Sequence, residues 1–254
     1  MSVAEIRLSE HGKHIAVVTI DNEPRRNAMT REMMADLAAL WDELEASHHR
    51  CVVVTGAGGK AFSSGADMSG DLSAEPEMAA VIAKGLLKTH AFPKPIIAAV
   101  NGDCVAGGLE LLLSTDIRAA APHARFGLPE VRWSIYPFGG ATVKLIHQIG
   151  HVHAMKLLLT ADLIDAEEAA RINLVNQVVP ADHLMDWALD VAGTIAANSP
   201  SAVQAVKRKI AGEIAGHAKA QESAEQALGD AVRKGPDFEE GVAAFLEKRK
   251  PNYE

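Results

Sequence analysis

The chain has 254 residues, 48% hydrophobic and 23% charged, enough for one sizeable core with at most a small appendage. Its net charge of −8 argues against broad binding to nucleic acid or to anionic membranes, though not against a local basic pocket for an anionic ligand. Two cysteines, Cys51 and Cys104, are too few for a disulfide scaffold, and aromatics are only 4%, so aliphatic side chains must build the core.

The N-terminal MSVAEIRLSEHGKH lacks the apolar run of a signal peptide, and no stretch is apolar for long enough to span a membrane, so a cytoplasmic protein is expected. Ile15 to Ile20 reads as a strand and Asp21 to Ala28 as a charged turn. Thr30 to Glu45 carries Met33, Met34, Leu37, Leu40, Trp41 and Leu44 at helical spacing, with Thr30 as N-cap. Cys51 to Thr55 is a continuous apolar strand closed by the turn Gly56 to Gly59. A helix over Glu77 to His90, a strand over Pro95 to Val100, a short helix over Gly107 to Ser114 and a strand over Asp116 to Ala121 follow. Phe138 to Ile149 and His153 to Leu159 read as helical, and Leu174 to Val179 as the last strand. Beyond Pro180 the pattern is helical throughout: Ala181 to Ala197, Ser201 to Ile214, Lys219 to Val232 and Phe238 to Lys248. The order predicts an α/β core over residues 1–197 and a helical C-terminal region over 198–254.

Two glycine-bearing segments each follow a buried strand: Lys60 to Met68 (KAFSSGADM) and Asn101 to Glu110 (NGDCVAGGLE). Small residues let a ligand approach backbone N–H groups closely, and two such groups converging on one oxygen polarise a carbonyl and stabilise an enolate. By themselves such glycines are more often plain tight turns. Glu110 stands among Leu109, Leu111, Leu112 and Leu113, where simple solvation is not expected. Glu130, beside Arg132 and Trp133, is open to a second reading as an ion-pair partner of Arg132 or Arg125.

The strings KAFSSGADM, AAVNGDCVAGGLEL and ARFGLPEVRWSIYPFGGATVKL, in that order, resemble successive segments of the enoyl-CoA hydratase/isomerase (crotonase) family. RRNAMT near the start and SPSAVQAVKRKI and AFLEKRKP near the end extend the resemblance over nearly the whole chain. It implies a spiral of strand-strand-helix turns capped by C-terminal helices, and assembly as a homotrimer or a dimer of trimers. It implies an acyl-CoA thioester substrate and no separate cofactor, because coenzyme A belongs to the substrate. The family's two oxyanion N–H groups fall on Ala66 and Gly107, and its two catalytic glutamates on Glu110 and Glu130. The segments that wrap coenzyme A fall on Arg26, Asn27 and Ala28 and on Ala66, Asp67, Met68 and Ser69, with Gly107. Arg25, Arg26 and the run Lys248-Arg249-Lys250 can meet phosphate charge, or equally be solvated.

With both glutamates present, hydration of a 2-enoyl thioester is the leading expectation: one carboxylate takes a proton from water while the other delivers one to the neighbouring carbon. Double-bond isomerisation, other enolate chemistry and a silent acyl-CoA-binding oligomer are the alternatives. One departure stands out. The family's usual P-G-x-G-G reads Pro137-Phe138-Gly139-Gly140 here, so Phe138 replaces a glycine. Its ring, with Trp133 and Tyr136, is expected to take up acyl-pocket volume, and a phenylalanine resists positive φ. His147, His151 and His153 are expected to be surface residues, because Gly150 interrupts the helix, and no metal is expected.

Overall fold

The computed structural model describes residues 4–67 and 76–253. Two sheets organise the chain. The larger runs in the order β1 (Glu5–His11), β2 (Ile15–Asp21), β3 (Cys51–Gly56), β5 (Ile96–Val100), β7 (Ile117–Ala120), β10 (Gln177–Val178), with every pair parallel except the β1–β2 hairpin. The smaller runs β4 (Ala61–Ser63), β6 (Asp103–Val105), β8 (Arg125–Gly127), β9 (Ile164–Asp165). After leaving the large sheet the chain adds one short strand to the small sheet, forms a helix and returns. Thus β3, β4 and α2 (Pro76–Gly85) make one turn, and β5, β6 and α3 (Gly107–Leu112) the next. This is the expected spiral.

Parallel strands covered on both faces must be apolar at every position, which is why Cys51 to Thr55 and Ile96 to Val100 read as unbroken apolar runs. Their alternating side chains feed two cores. Val52, Val54, Ile96 and Ala98 point towards α1 (Arg31–Ala46), meeting Met33, Leu37, Trp41 and Leu44. Cys51, Val53, Ile97 and Ala99 point the other way, against Leu184, Ala188, Ala192 and Ala196 of α7 (Leu184–Ala197). Each fully buried large side chain contributes about 1.5–3 kcal/mol relative to exposure. The Thr30 hydroxyl caps α1 by accepting from Met33 N at 3.2 Å, and Trp41 Nε1 donates to Gly85 O at 2.9 Å, tying α1 to the end of α2. Burial pushes the thiol of Cys51 up to about 12 and raises that of Cys104, so both are inert packing residues.

Several elements differ from expectation. β1 is almost wholly exposed, so no apolar alternation betrays it. β4, β6 and β8 are three residues each, too short for any period. The helix expected from Phe138 begins as α4 at Ala141 (Ala141–Ile149), because Gly140 at φ +100° turns the chain just before it. At Gly150, φ +77°, the chain breaks into α5 (His151–Thr160). The two stretches expected over Ser201 to Val232 are one helix, α8 (Pro200–Arg233), about 51 Å long at 1.5 Å per residue. Gly212 and Gly216 do not break it, since an isolated glycine costs a helix only about 1 kcal/mol. Between these lie the short α6 (Ala166–Arg171) and, at the end, α9 (Asp237–Leu246). No helix among the described residues is long and apolar enough to cross a membrane.

The docking of α3 on the small sheet is unusually tight. A methyl group added at Gly108 would lie 2.4 Å from Ser63 O, a backbone atom that cannot swing aside. Gly108→Ala is therefore expected to cost at least ~1–3 kcal/mol in denaturant unfolding.

Candidate active site

The site grows from the two segments that follow β4 and β6. Met29 N donates to Gly65 O at 2.8 Å and Asp67 N donates to Met29 O at 2.9 Å, a parallel bridge that holds Ala66 extended. In such a bridge the middle residue turns its own N–H away from the partner strand. Ala66 accordingly lines the cavity on the far side. Opposite it, Gly107 is the first residue of α3, so its N–H has no carbonyl four residues back to bond. Ala106 sets the aim of that N–H with φ 51° and ψ −130°, a conformation that favours glycine and costs an alanine about 1–3 kcal/mol.

The two segments touch. Gly65, at φ +93°, has no room for a side chain: a methyl there would meet Ala106 Cβ at 2.8 Å and Gly107 N at 3.0 Å. A methyl on Gly107 would lie 3.7 Å from Ala66 N, an ordinary contact. The N–H groups of Ala66 and Gly107 thus sit side by side on one wall of the cavity, which is about 1440 Å³. That exceeds the ~300–1,000 Å³ of ordinary small-ligand pockets.

Both glutamates reach the same cavity. Glu110 comes from the first turn of α3 and is 5% exposed. Its Oε1 accepts from Ala141 N at 3.3 Å, and Gly139 is pressed so close that a methyl there would lie 2.3 Å from Oε2. Burial raises its pKa, partly offset by the N–H groups of Ala141 and Gly139 and by the charges of Lys88 and Lys144. Glu130 arrives on the 3-10 turn Pro129–Trp133 and is 8% exposed. Its pKa is raised by burial first and by the Glu110 charge second. No cation among the described residues pairs with it. Arg125 is held by both oxygens of Asp103, and Arg132 donates to Ala161 O. Glu130 Oε2 is buried with no partner among the described residues.

Of the residues expected to hold coenzyme A, Ala28, Ala66, Asp67 and Gly107 line the cavity, and Met68 and Ser69 lie outside the described residues. Arg26 and Asn27 do not line it. Arg26 is ion-paired with Asp103 at 3.2 Å, and Asn27 is a scaffold residue, donating to Ala57 O and Ala61 O and accepting from Asn22 N. Arg25 does line it, 3.2 Å from Asp67. In the terminal basic run, Arg249 is bound by Glu240 and Glu247, while Lys248 lines the cavity.

Trp133, Tyr136 and Phe138, expected at the acyl pocket, all line the cavity. Phe138 adopts no positive φ. Its ring lies on the α8 backbone, where a methyl at Gly229 would meet Cζ at 1.9 Å, with Tyr136 edge-on at 5.3 Å. The ring therefore serves as a mount for α8 as well as a cavity wall.

Sequence reasoning missed the polar pair behind Glu110. Lys88 Nζ lies 3.0 Å from Glu225 Oε2 of α8, both side chains 6% exposed, and the Thr142 hydroxyl donates to the same carboxylate. No local signal marks either residue, since one follows α2 and the other sits in a polar helix. His147 is exposed, as expected, and is hydrogen-bonded there to His217 of α8 at 3.1 Å.

A family model described as enoyl-CoA hydratase/isomerase matches residues 10–254, and the chain belongs to that family. The enoyl-CoA hydratase EchA19 of Mycobacterium tuberculosis is 38% identical, over 97% of this chain and 96% of its own length. The short-chain-enoyl-CoA hydratase of Clostridium acetobutylicum is also 38% identical, over 98% and 97%. Among solved structures, carnitinyl-CoA hydratase from Mycobacterium avium superposes with a TM-score of 0.90 at 32% identity, covering 100% of this chain and 99% of that one.

Two outcomes follow for stability. Glu225→Ala leaves Lys88 buried without a counter-charge and is expected to cost about 3–5 kcal/mol, most of it regained in Lys88→Met/Glu225→Leu. Glu110 and Glu130 bind protons more tightly folded than unfolded. Their contribution is therefore full at pH below the ordinary carboxylate range and is lost as pH rises through their raised values. Glu130→Gln should gain thermal stability over the parent, by more at about pH 8 than at about pH 5.

Proposed function

We propose that the protein adds water to 2-enoyl-CoA thioesters to give 3-hydroxyacyl-CoA. The observation that carries this is two buried carboxyls of unlike surroundings on one cavity, beside two unpaired N–H groups. The thioester oxygen accepts from Ala66 N–H and Gly107 N–H. Glu110, which receives N–H donors and faces two lysine charges, is the carboxylate. Glu130, whose Oε2 has no partner among the described residues and whose pKa is raised by burial and by Glu110, is the acid. Glu110 takes a proton from water as the oxygen bonds to the β-carbon. The double-bond electrons pass to the thioester oxygen as an enolate, held by the two N–H groups. The enolate collapses as the α-carbon takes the proton of Glu130, and the two glutamates exchange roles for the reverse reaction.

Supporting this reading, the cited relatives from Mycobacterium tuberculosis and Clostridium acetobutylicum are named as enoyl-CoA hydratases. Self-association as a trimer or a dimer of trimers belongs to the same reading. It is supported by apolar Val206, Ile210 and Leu228 of α8, exposed by 63%, 56% and 58%.

The test is loss of enoyl-thioester ultraviolet absorbance with 2-enoyl-CoAs of several lengths. Glu110→Gln and Glu130→Gln are each expected to lower kcat by about 10²–10⁴ while coenzyme A thioesters still bind. Loss in only one variant would indicate isomerase-type proton shuttling instead. Gly107→Ala is expected to melt close to the parent, since its methyl fits, yet to lose about 10²–10³ in kcat because that methyl fills the oxygen site.

A further inference from the structure

The cavity continues past the glutamates along the wall made by Tyr136 and Phe138 to Arg233, at the end of α8. The Arg233 guanidinium lies over the Phe138 ring, with Cζ 4.6 Å from the ring centroid. Phe138 in turn is seated on Gly229, one helical turn before Arg233. The three residues form a unit: the missing side chain at 229 admits the ring, and the guanidinium rests over the ring. A cation–π contact takes up none of the guanidinium's N–H donors, which stay available to an acceptor.

No carboxylate among the described residues takes those donors. Among the described residues Arg233 has neither an ion pair nor a hydrogen bond. Asp230, on the same helix end, is hydrogen-bonded by Gln226 at 2.8 Å, and Glu222 lies about 16 Å back along α8. The other cations on the wall are accounted for: Lys88 pairs with Glu225, Arg25 with Asp67, and Lys248 is exposed. A half-buried guanidinium with no ion pair among the described residues, at the end of an aromatic wall that starts beside Glu110 and Glu130, is suited to a carboxylate delivered by the ligand.

We propose that Arg233 is a subsite for a carboxylate at the far end of the acyl chain, and that the preferred substrates are CoA thioesters of unsaturated dicarboxylic acids. The inference rests on the hydration reading for which end of the ligand lies at the glutamates. The methylenes of the chain would lie along Tyr136 and Phe138 and the terminal carboxylate would accept two parallel N–H bonds from Arg233. Phe138, the departure from the family pattern, would then be the residue that builds the specificity.

The test is calorimetric binding of saturated thioesters in matched pairs. Glutaryl-, adipyl- and pimelyl-CoA are compared with pentanoyl-, hexanoyl- and heptanoyl-CoA, on the parent, Arg233→Met and Arg233→Lys. At one or more lengths the parent should bind the diacid thioester about 10–100-fold more tightly than its methyl-ended partner. Arg233→Met should erase that ratio and Arg233→Lys should keep part of it. Equal affinity within every pair on the parent overturns the subsite. So does an Arg233→Met variant that weakens both members of each pair and free coenzyme A alike, which would put the guanidinium on the coenzyme's phosphates. Binding of saturated ligands needs no turnover, so a chain that fails to hydrate but keeps the ratio loses the hydration reading alone.

Discussion

The contact between Gly65 and the Ala106-Gly107 peptide is the constraint on which the rest of the site depends. It brings together two turns from successive coils of the spiral, closely enough that a single added methyl would part them. The parallel sheets make this approach possible. β4 and β6 pair side by side, so the residues that follow them leave the sheet together, at the same edge and in the same direction. Ala66 is held from outside by the Met29 bridge, and Gly107 is aimed from within by the strained Ala106. Two donors fixed before any ligand arrives need not reorganise when charge develops between them.

The electrostatics follow from the same packing. Glu110 is carried into the core by the helix that begins at Gly107, so the residue proposed to donate to the thioester oxygen also sets the position of a carboxyl three residues on. Gly139 can lie against that carboxyl only because it has no side chain. Lys88 and Glu225 stand behind as a buried ion pair, and Glu110 sits among N–H donors with the Lys88 and Lys144 charges nearby but no ion pair of its own among the described residues. Glu130 meets none of these donors. The difference between the two carboxyls is therefore structural, written in what each one touches.

The central strands β3 and β5 of the large sheet were legible because they are buried at every position and read as nearly continuous apolar runs. The small sheet was not legible: three-residue strands show no period, and their glycines read equally as turns. β1 escaped because both its faces are exposed, and α8 was expected as two stretches although it is one continuous helix of 34 residues. The two glycine-bearing segments and Glu110 among its leucines stood out from the residues, but specific roles for Ala66, Gly107, Glu110 and Glu130 came only from the family resemblance, and the fold brings all four to one cavity. Arg26 and Asn27 were expected there too, yet Asp103 and the backbone around Ala57 and Ala61 hold their side chains elsewhere. Lys88, Glu225 and Arg233 were invisible, since each acquires meaning only when α8 is laid across α4 and the Phe138 segment. Phe138 was visible as a departure, but its seat on Gly229 lies 91 positions along the chain, beyond the reach of any local pattern.

Polarisation of a thioester carbonyl by Ala66 and Gly107 is the central claim, and vibrational spectroscopy reads it without relying on turnover. A 2-enoyl-CoA labelled with ¹³C at the thioester carbonyl can be bound to the Glu110→Gln variant and observed by isotope-edited infrared difference spectroscopy. Two convergent N–H donors predict a carbonyl stretch at lower wavenumber than in water, moving back towards the free value when Gly107→Ala is added. A bound carbonyl with the stretch it has in water, unaffected by Gly107→Ala, would contradict the assignment of these two N–H groups.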